Sequence, residues 1–236
     1  MTTLQAPIGF GLMCKPPRPG ISKTRLASGV GADAAAKLSA AFLADCAQVA
    51  LSAATLSPLV LTAFYKPRDG AKELGEILGP RWPLAFADAP SLGEIMSDIL
   101  ARLLSECPAG AMIMGADIPL IGAEVIDRAA RELRDGTERT VVIAPSADGG
   151  YCLIGVRSHA ATIPLFDDMA WSTPHVLDET LQRARSARLD VTLLDVQRDV
   201  DEVTDLLWLL EAIAEQPDRA TATRQVLSTL TLPVGK

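Results

Sequence analysis

Soft metal ligands are scarce in this chain. Its 236 residues include two histidines, His159 and His175, and four cysteines, Cys14, Cys46, Cys107 and Cys152, with no CxxC pair. A zinc site needs closely spaced Cys and His ligands, so the sequence argues against one. The cysteines lie far apart in apolar or helical contexts and are expected to be reduced and buried. With two histidines, no Ser/His/Asp or Cys/His nucleophile constellation stands out. Basic residues are also in deficit, 22 Lys and Arg against 29 Asp and Glu, for a net charge of −7. A nucleic-acid polymer needs a broad basic face, and none is expected here. A small anionic ligand needs only a local basic pocket. No apolar core follows basic residues at the N-terminus, so no signal peptide is expected. The one long uncharged stretch, Cys46 to Tyr65, is broken by Gln48, Ser52, Thr55, Ser57 and Pro58. It reads as the end of a helix followed by a buried strand, not a membrane span. A cytoplasmic location follows as an expectation. No repeat, low-complexity tract or linker divides the chain, so residues 1–236 are expected to form one domain.

What is present is an alternation. Short apolar runs at Ile8–Cys14, Leu59–Phe64, Leu84–Ala87, Ala111–Met114, Thr140–Ala144, Tyr151–Val156 and Val191–Leu194 predict strands. Apolar residues at helical spacing predict helices over Ala34–Ala54, Asp69–Leu78, Leu92–Leu104, around Val125–Leu133, over Pro174–Ala187, around Val203–Ile213 and over Arg219–Leu227. Strands alternating with helices imply a three-layer α/β/α fold with a mostly parallel sheet. The connection between the Thr140 and Tyr151 strands is too short for a crossover helix. That pair is therefore either antiparallel or not adjacent, and the sheet is mixed.

Charge is uneven. Residues 1–32 carry four cations, Lys15, Arg18, Lys23 and Arg25, and no anion; the rest of the chain carries 18 positive and 29 negative residues. This basic loop follows the first strand, at the end of a sheet where open α/β folds bind ligands. Pro16, Pro17, Pro19 and Gly20 keep it out of regular structure, and a rigid loop loses little entropy on binding. Arg can grip phosphate oxygens bidentately and Lys acts as a point charge. It is not a P-loop, because no Gly directly precedes Lys23 in Gly20-Ile21-Ser22-Lys23-Thr24. The alternative is a solvated basic turn. Asp117 follows the Ala111–Met114 strand, where it is either a ligand-facing carboxylate or a helix cap before Pro119. Asp199 and Asp201 follow the Val191 strand. Either could supply a second metal ligand, and spacing does not choose between them; an acid beside a helix start is also stabilised by the helix dipole. The Asp148-Gly149-Gly150 turn reads as a hairpin or as backbone that a ligand can approach closely. Trp171 is core or pocket wall, Ser172 or Thr173 reads first as a cap for the helix after Pro174, and His175 as a surface residue.

The run Lys15-Pro-Pro-Arg-Pro-Gly-Ile-Ser-Lys-Thr-Arg-Leu26 resembles the K-x-P-x-P-G-x-x-K-T-R-L signature of a nucleotide-diphospho-sugar-transferase-like family, also called selenodomain-associated transferase type 1. Gly115-Ala-Asp-Ile-Pro119, Asp148-Gly-Gly-Tyr-Cys-Leu-Ile-Gly155, Trp171-Ser-Thr173 with Val176 and Thr180, and Arg198-Asp-Val-Asp201 with Asp205-Leu206 resemble further elements of the same family in the same order. Ala116 and Glu202 depart from its usual Ser and Thr. The family's relatives include molybdenum-cofactor and phospholactate guanylyltransferases, and all are similar to the glycosyltransferase A (GT-A) fold.

The resemblance implies a metal-dependent nucleotidyltransferase that joins a nucleoside triphosphate to a small phosphorylated or hydroxyl acceptor. It implies Mg²⁺ (or Mn²⁺) on Asp117 and Asp201, with Lys23 and Asp117 as catalytic residues. Lys15, Arg18, Gly20, Lys23 and Arg25 would bind the nucleotide phosphates. Asp148, Gly149, Gly150, Tyr151, Ser172 and Thr173 would line the acceptor site. Two alternatives stand beside this reading. One is a glycosyltransferase with a nucleotide-sugar donor, although Gly115-Ala116-Asp117 offers one acid where many such enzymes place a D-x-D pair. The other is a nucleotide-binding protein without turnover.

Overall fold

A computed structural model describes residues 5–230. Seven strands form one sheet: β1 (Ile8–Cys14), β2 (Leu59–Tyr65), β3 (Leu84–Phe86), β4 (Ala111–Met114), β5 (Thr140–Pro145), β6 (Tyr151–Val156) and β7 (Asp190–Leu193), in the order β3-β2-β1-β4-β6-β5-β7. The helices are α1 (Thr24–Val30), α2 (Ala32–Leu56), α3 (Ala71–Leu78), α4 (Leu92–Glu106), α5 (Ala123–Asp135), α6 (Thr162–Phe166), α7 (Val176–Ser186), α8 (Val203–Glu215) and α9 (Thr221–Thr229). β6 runs antiparallel to both β4 and β5, and the other pairings are parallel. The short turn between β5 and β6 rules out a parallel pairing of the two, and they pair antiparallel. The fold is the expected three-layer α/β/α with a mixed, mostly parallel sheet.

β1 shows how the sequence builds the layers. Side chains alternate across a strand. Ile8, Phe10 and Leu12 are fully buried in one core with Leu43 and Cys46 of α2 and Ile126 and Leu133 of α5. Gly9 and Gly11 take the other face, where a Cβ would lie 2.9 Å from Leu103 Cβ and 3.1 Å from Ile99 Cγ2 of α4. The missing side chains let α4 press onto the sheet. Each fully buried large side chain contributes about 1.5–3 kcal/mol of apolar burial. A separate cluster joins Leu26 of α1, Leu38 and Phe42 of α2, Val200, and Leu206 and Leu209 of α8. α2 is long and apolar enough to cross a membrane, but half of its most apolar window is buried within the fold. Asp45 on that helix accepts bonds from the Ala222 and Thr223 amides, 2.9 Å each, and from the Thr223 hydroxyl, which holds α9 against it.

Several expectations change. α1 starts inside the basic stretch, at Thr24, directly after Lys23. α6 was not expected, because Pro164 interrupts the apolar pattern there. β2 is only half buried: Val60 is 37% exposed, because β3 pairs with Ala63–Tyr65 alone and leaves Leu59–Thr62 without a neighbour on that side. α7 begins at Val176, with exposed His175 at its N-cap position and no capping side chain. Neither Ser172 nor Thr173 caps it; Thr173 Oγ1 instead donates to the Ala170 carbonyl at 3.1 Å.

Candidate active site

The parallel pairing of β1 with β4 aligns Leu12 with Met114, so the segments leaving both strands emerge at the same edge. One is the basic loop and the other carries Asp117. The loop folds on itself. Arg18 N–H bonds Pro16 O at 2.9 Å, Ile21 and Ser22 amides reach back to Arg18 O, and buried Ser22 Oγ donates to Pro16 O at 2.8 Å. Lys23 then takes a left-handed conformation, φ 51° and ψ 49°. That costs a non-glycine residue about 1–2 kcal/mol. Here the strained residue places its ammonium between two carboxylates, 2.8 Å from Asp117 Oδ2 and in contact with Asp201 Oδ1.

Asp117 does not cap a helix, since α5 starts six residues later with Gly122 at its N-cap. Ile118, Leu120 and Ile121 beside it are buried and anchor the segment. A Cβ on Gly115 would lie 2.9 Å from Asp117 Oδ1, so glycine there leaves room for the carboxylate. The segment after β7 supplies the other acids. Gln197 N–H donates to Pro145 O at 2.8 Å and Val200 N–H to Asp117 O at 3.0 Å. Fully buried Val200 pegs the segment into the core, and alternation in an extended chain turns Asp199 and Asp201 toward the same side. Asp199 accepts from Ser146 Oγ at 2.7 Å. Asp205 Oδ2 accepts from the amides of Asp201 (3.1 Å) and Glu202 (3.0 Å), while Arg198 holds its other oxygen at 3.0 Å.

Carboxylate oxygens of Asp117, Asp199 and Asp201 all lie within 4.8 Å of one another. Sequence spacing left Asp199 and Asp201 as alternatives; the structure brings both to Asp117. The i, i+2 spacing around an apolar residue was the signal for the pair. Three hard oxygen donors suit Mg²⁺ or Mn²⁺, which take carboxylates with water and phosphate oxygens. This acidic triad could hold a metal ion. Its electrostatics are uneven. Burial raises the Asp199 pKa, helped by Asp117, Asp148 and Asp201, against the Ser146 bond. Burial also acts on Asp201, but Lys23 and Arg25 outweigh it and hold that carboxyl below its ordinary value. Burial lowers the Lys23 pKa, and Asp117 and Asp201 more than restore it.

The four loop cations part company. Lys23 joins the acids. Arg25 bonds Asp201 at 2.7 Å and Glu202 at 2.9 Å. Arg18 turns to Glu73 of α3 at 2.9 Å and to Asp69 at 2.9 Å. Lys15 is exposed, with no ion pair among the described residues. Gly20 is exposed at φ 75°, a conformation glycine adopts without strain.

Beside the triad lies a cavity of about 330 Å³. Asp148, Gly150, Tyr151, Ser172 and Thr173 line it with Asp117 and Asp199. Gly149 has a different place: at φ 90°, a Cβ there would sit 2.1 Å from Pro174 O, and its own carbonyl accepts from Leu177 N–H at 2.9 Å. The close approach that this glycine permits is to the start of α7. Asp148 Oδ1 closes the turn by accepting from Gly150 N–H at 2.8 Å. Trp171 serves both expectations, lining the cavity and packing on Phe166 and Tyr151 with ring centroids 6.3 and 6.5 Å away. His175 does not line this cavity. All four cysteines are free and buried. Burial pushes the Cys14 and Cys152 thiols up to about 12, so neither offers a thiolate near neutral pH.

A family model described as uncharacterized protein conserved in bacteria (DUF2064) matches residues 48–173. Over 134 residues the chain is 34% identical to phosphoenolpyruvate guanylyltransferase of Roseiflexus sp. (strain RS-1), covering 55% of each. The chain thus spans about half the length of that curated relative. A crystal structure of a candidate nucleotide-diphospho-sugar transferase from Desulfovibrio desulfuricans G20 is 30% identical, with 93% of each chain covered and a TM-score of 0.84. A cytidylyltransferase from Leptospira borgpetersenii serovar Hardjo-bovis (strain JB197) shares the fold at 11% identity, with 98% and 100% covered and a TM-score of 0.58. The resemblance carried by the sequence motifs is met by these matches, and the architecture is nucleotidyltransferase-like.

Proposed function

The chain belongs to the DUF2064 family, and from that premise we propose that it is a metal-dependent nucleotidyltransferase using a nucleoside triphosphate and a small acceptor. The observation that carries this reading is the junction of Lys23 and Arg25 with Asp117, Asp199 and Asp201 at one end of the sheet. The partial match to a guanylyltransferase supports it. Asp117 and Asp201, with Asp199, would hold Mg²⁺ or Mn²⁺. When bound, such an ion neutralises phosphate charge and polarises the phosphorus under attack. An acceptor oxygen forms a bond to the α-phosphorus as the bond to the β-phosphate oxygen breaks, and pyrophosphate leaves with the electron pair. A hydroxyl acceptor releases its proton to solvent; a phosphate acceptor has none to lose. Lys23, freed from the carboxylates, and Arg25 stabilise the charge that builds on the leaving group. Lys15, exposed on the same loop, would meet the outer phosphates, and Gly20 would let the loop backbone approach them. Arg18 acts one step back, fastening the loop to α3.

A glycosyltransferase is the second reading, supported by the Desulfovibrio relative. The single acid in Gly115-Ala116-Asp117 favours the first. Thermal shift with nucleoside triphosphates and nucleotide-sugars, with and without Mg²⁺, separates them, because a ligand of the folded state raises apparent stability. The expected result is Mg²⁺-dependent stabilisation by a triphosphate, lost in Asp117→Asn, and pyrophosphate release once an acceptor is supplied. Release of nucleoside diphosphate from a nucleotide-sugar would overturn it in favour of the second reading. No response to any nucleotide would overturn both.

A further inference from the structure

The cavity beside the triad has a lining without a basic side chain. Its walls are largely apolar, with Met13 from the end of β1, Leu92 and Met96 from α4, Ile113 from β4, Ile154 from β6, and Trp171, and its neutral polar groups are the hydroxyls of Ser146, Tyr151, Ser172 and Thr173. Its charged groups are all acids, Asp117, Asp148 and Asp199. No Lys, Arg or His is among the lining residues. Lys15, two residues beyond Met13, and His175, beside Val176, are exposed and outside the lining, and three other basic residues are engaged elsewhere. Lys23 is held by Asp117 and Asp201, Arg183 by Glu179 and the carbonyls of Asp167 and Asp168, and Arg198 by Asp205 while it stacks over Trp208 at 4.7 Å. With a metal ion on Asp117 and Asp199, a carboxylate carried further into this cavity by a ligand would lose its water and meet Asp148 and no guanidinium. An unpaired buried anion is strongly disfavoured. An aliphatic or aromatic body would instead exchange water for Met, Leu, Ile and Trp surface, which is favourable.

Resting on the nucleotidyltransferase reading, we propose that this cavity takes the body of the acceptor and selects the phosphate monoester of a small apolar alcohol over a phospho-carboxylate. The monoester's phosphate oxygens lie toward Asp117 and Asp199, where the metal ion would meet them, and its hydrocarbon part lies against Met96, Ile154 and Trp171. At water's share of about 30 Å³ each, the volume holds roughly ten non-hydrogen atoms, enough for one ring or a short branched chain. The acceptor thereby differs in class from phosphoenolpyruvate, which the Roseiflexus relative is named for.

The probes are phenyl phosphate and phosphoenolpyruvate, each titrated into the full chain with Mg²⁺ while tryptophan fluorescence is followed. Trp171→Phe assigns the signal to the cavity, since Trp82 and Trp208 do not line it. Phenyl phosphate should bind at least about tenfold tighter than phosphoenolpyruvate, because a site rejects a ligand that leaves a buried charge unpaired. Leu92→Lys, at a position 41% exposed and so tolerant of charge, should narrow that ratio. Equal or tighter binding of phosphoenolpyruvate overturns the proposal, as does the absence of any Trp171 response to phenyl phosphate. A triphosphate thermal shift on the same samples keeps the two readings apart. If triphosphate stabilises the protein and phenyl phosphate is not preferred, only the acceptor assignment falls. If triphosphate does nothing, the transferase reading falls.

Discussion

The acidic triad is approached from two sides that share almost no chemistry. On one side the Lys15–Arg25 stretch brings cations, a strained lysine backbone and ion pairs to Asp117 and Asp201. On the other, the cavity bounded by Leu92, Met96, Ile154 and Trp171 brings apolar surface and one further acid, Asp148. The difference teaches that the carboxylates are placed at a boundary between a side suited to a polyanion and a side suited to an apolar body. Phosphoryl chemistry profits from such a division, because charge neutralisation and positioning are then supplied by separate walls.

Removing the boundary itself should have the largest effect. Asp117→Asn is expected to lower Mg²⁺-dependent pyrophosphate release by about 100-fold or more, the scale on which a lost electrostatic stabiliser acts. A coupled phosphate assay on wild type and variant checks it. Gly149→Ala attacks the cavity side. Its φ of 90° and the 2.1 Å approach to Pro174 O leave no place for a methyl group. A loss of about 2–4 kcal/mol is expected from left-handed strain plus overpacking, read by urea denaturation. Lys23→Met attacks the cationic side. It leaves three carboxylates facing one another without their ammonium, and the cost is expected to be about 1–3 kcal/mol, tempered by partial exposure. Added Mn²⁺ should recover that loss, raising the melting temperature of the variant by more than that of wild type.

A smaller effect separates the acids by pH. Asp201 is held below its ordinary pKa by Lys23 and Arg25 against the effect of burial. A depressed carboxyl stabilises the fold above its unfolded value and loses that contribution as pH falls through the folded one. Asp201→Asn should therefore flatten the loss of stability below about pH 4, the ordinary aspartate range. An unchanged acid limb would mean that the pairing with Lys23 adds nothing to the fold. Smallest of all is Arg18→Gln. Its partners Asp69 and Glu73 are 69% and 44% exposed. Such pairs contribute about 0–1 kcal/mol, and triphosphate affinity should change less than in Arg25→Gln.

Much of this boundary was legible in the sequence, one side at a time. The basic loop announced itself by composition, and Asp117 by its place after an apolar strand. Their meeting did not, because it depends on β1 lying beside β4, and the alternation of strands and helices does not order the strands. Asp199 and Asp201 looked like alternatives until Val200 was seen buried between them. α1 was hidden because Ser28 and Gly29 are poor helix formers; Gly29 is accommodated where a Cβ would strike Val203 of α8 at 2.2 Å. The cap expected from Ser172 or Thr173 failed for a tertiary reason. Leu177 N–H already bonds Gly149 O, so the first turn of α7 is satisfied by the β5–β6 turn.

The contact between Lys23 and Asp201 joins residues 178 positions apart. It also has a consequence for the order in which the protein can be made. Long-range contacts form late, since the chain between them must be gathered first. As the chain leaves the ribosome from its N-terminus, the cationic loop and β1 emerge early, and the segment that carries Asp199 and Asp201 emerges only after every strand of the sheet. Until then Lys23 has Asp117 alone, and a nascent chain has the cationic loop without the complete acidic triad. The triad is completed only when Val200 enters the core and carries Asp199 and Asp201 with it.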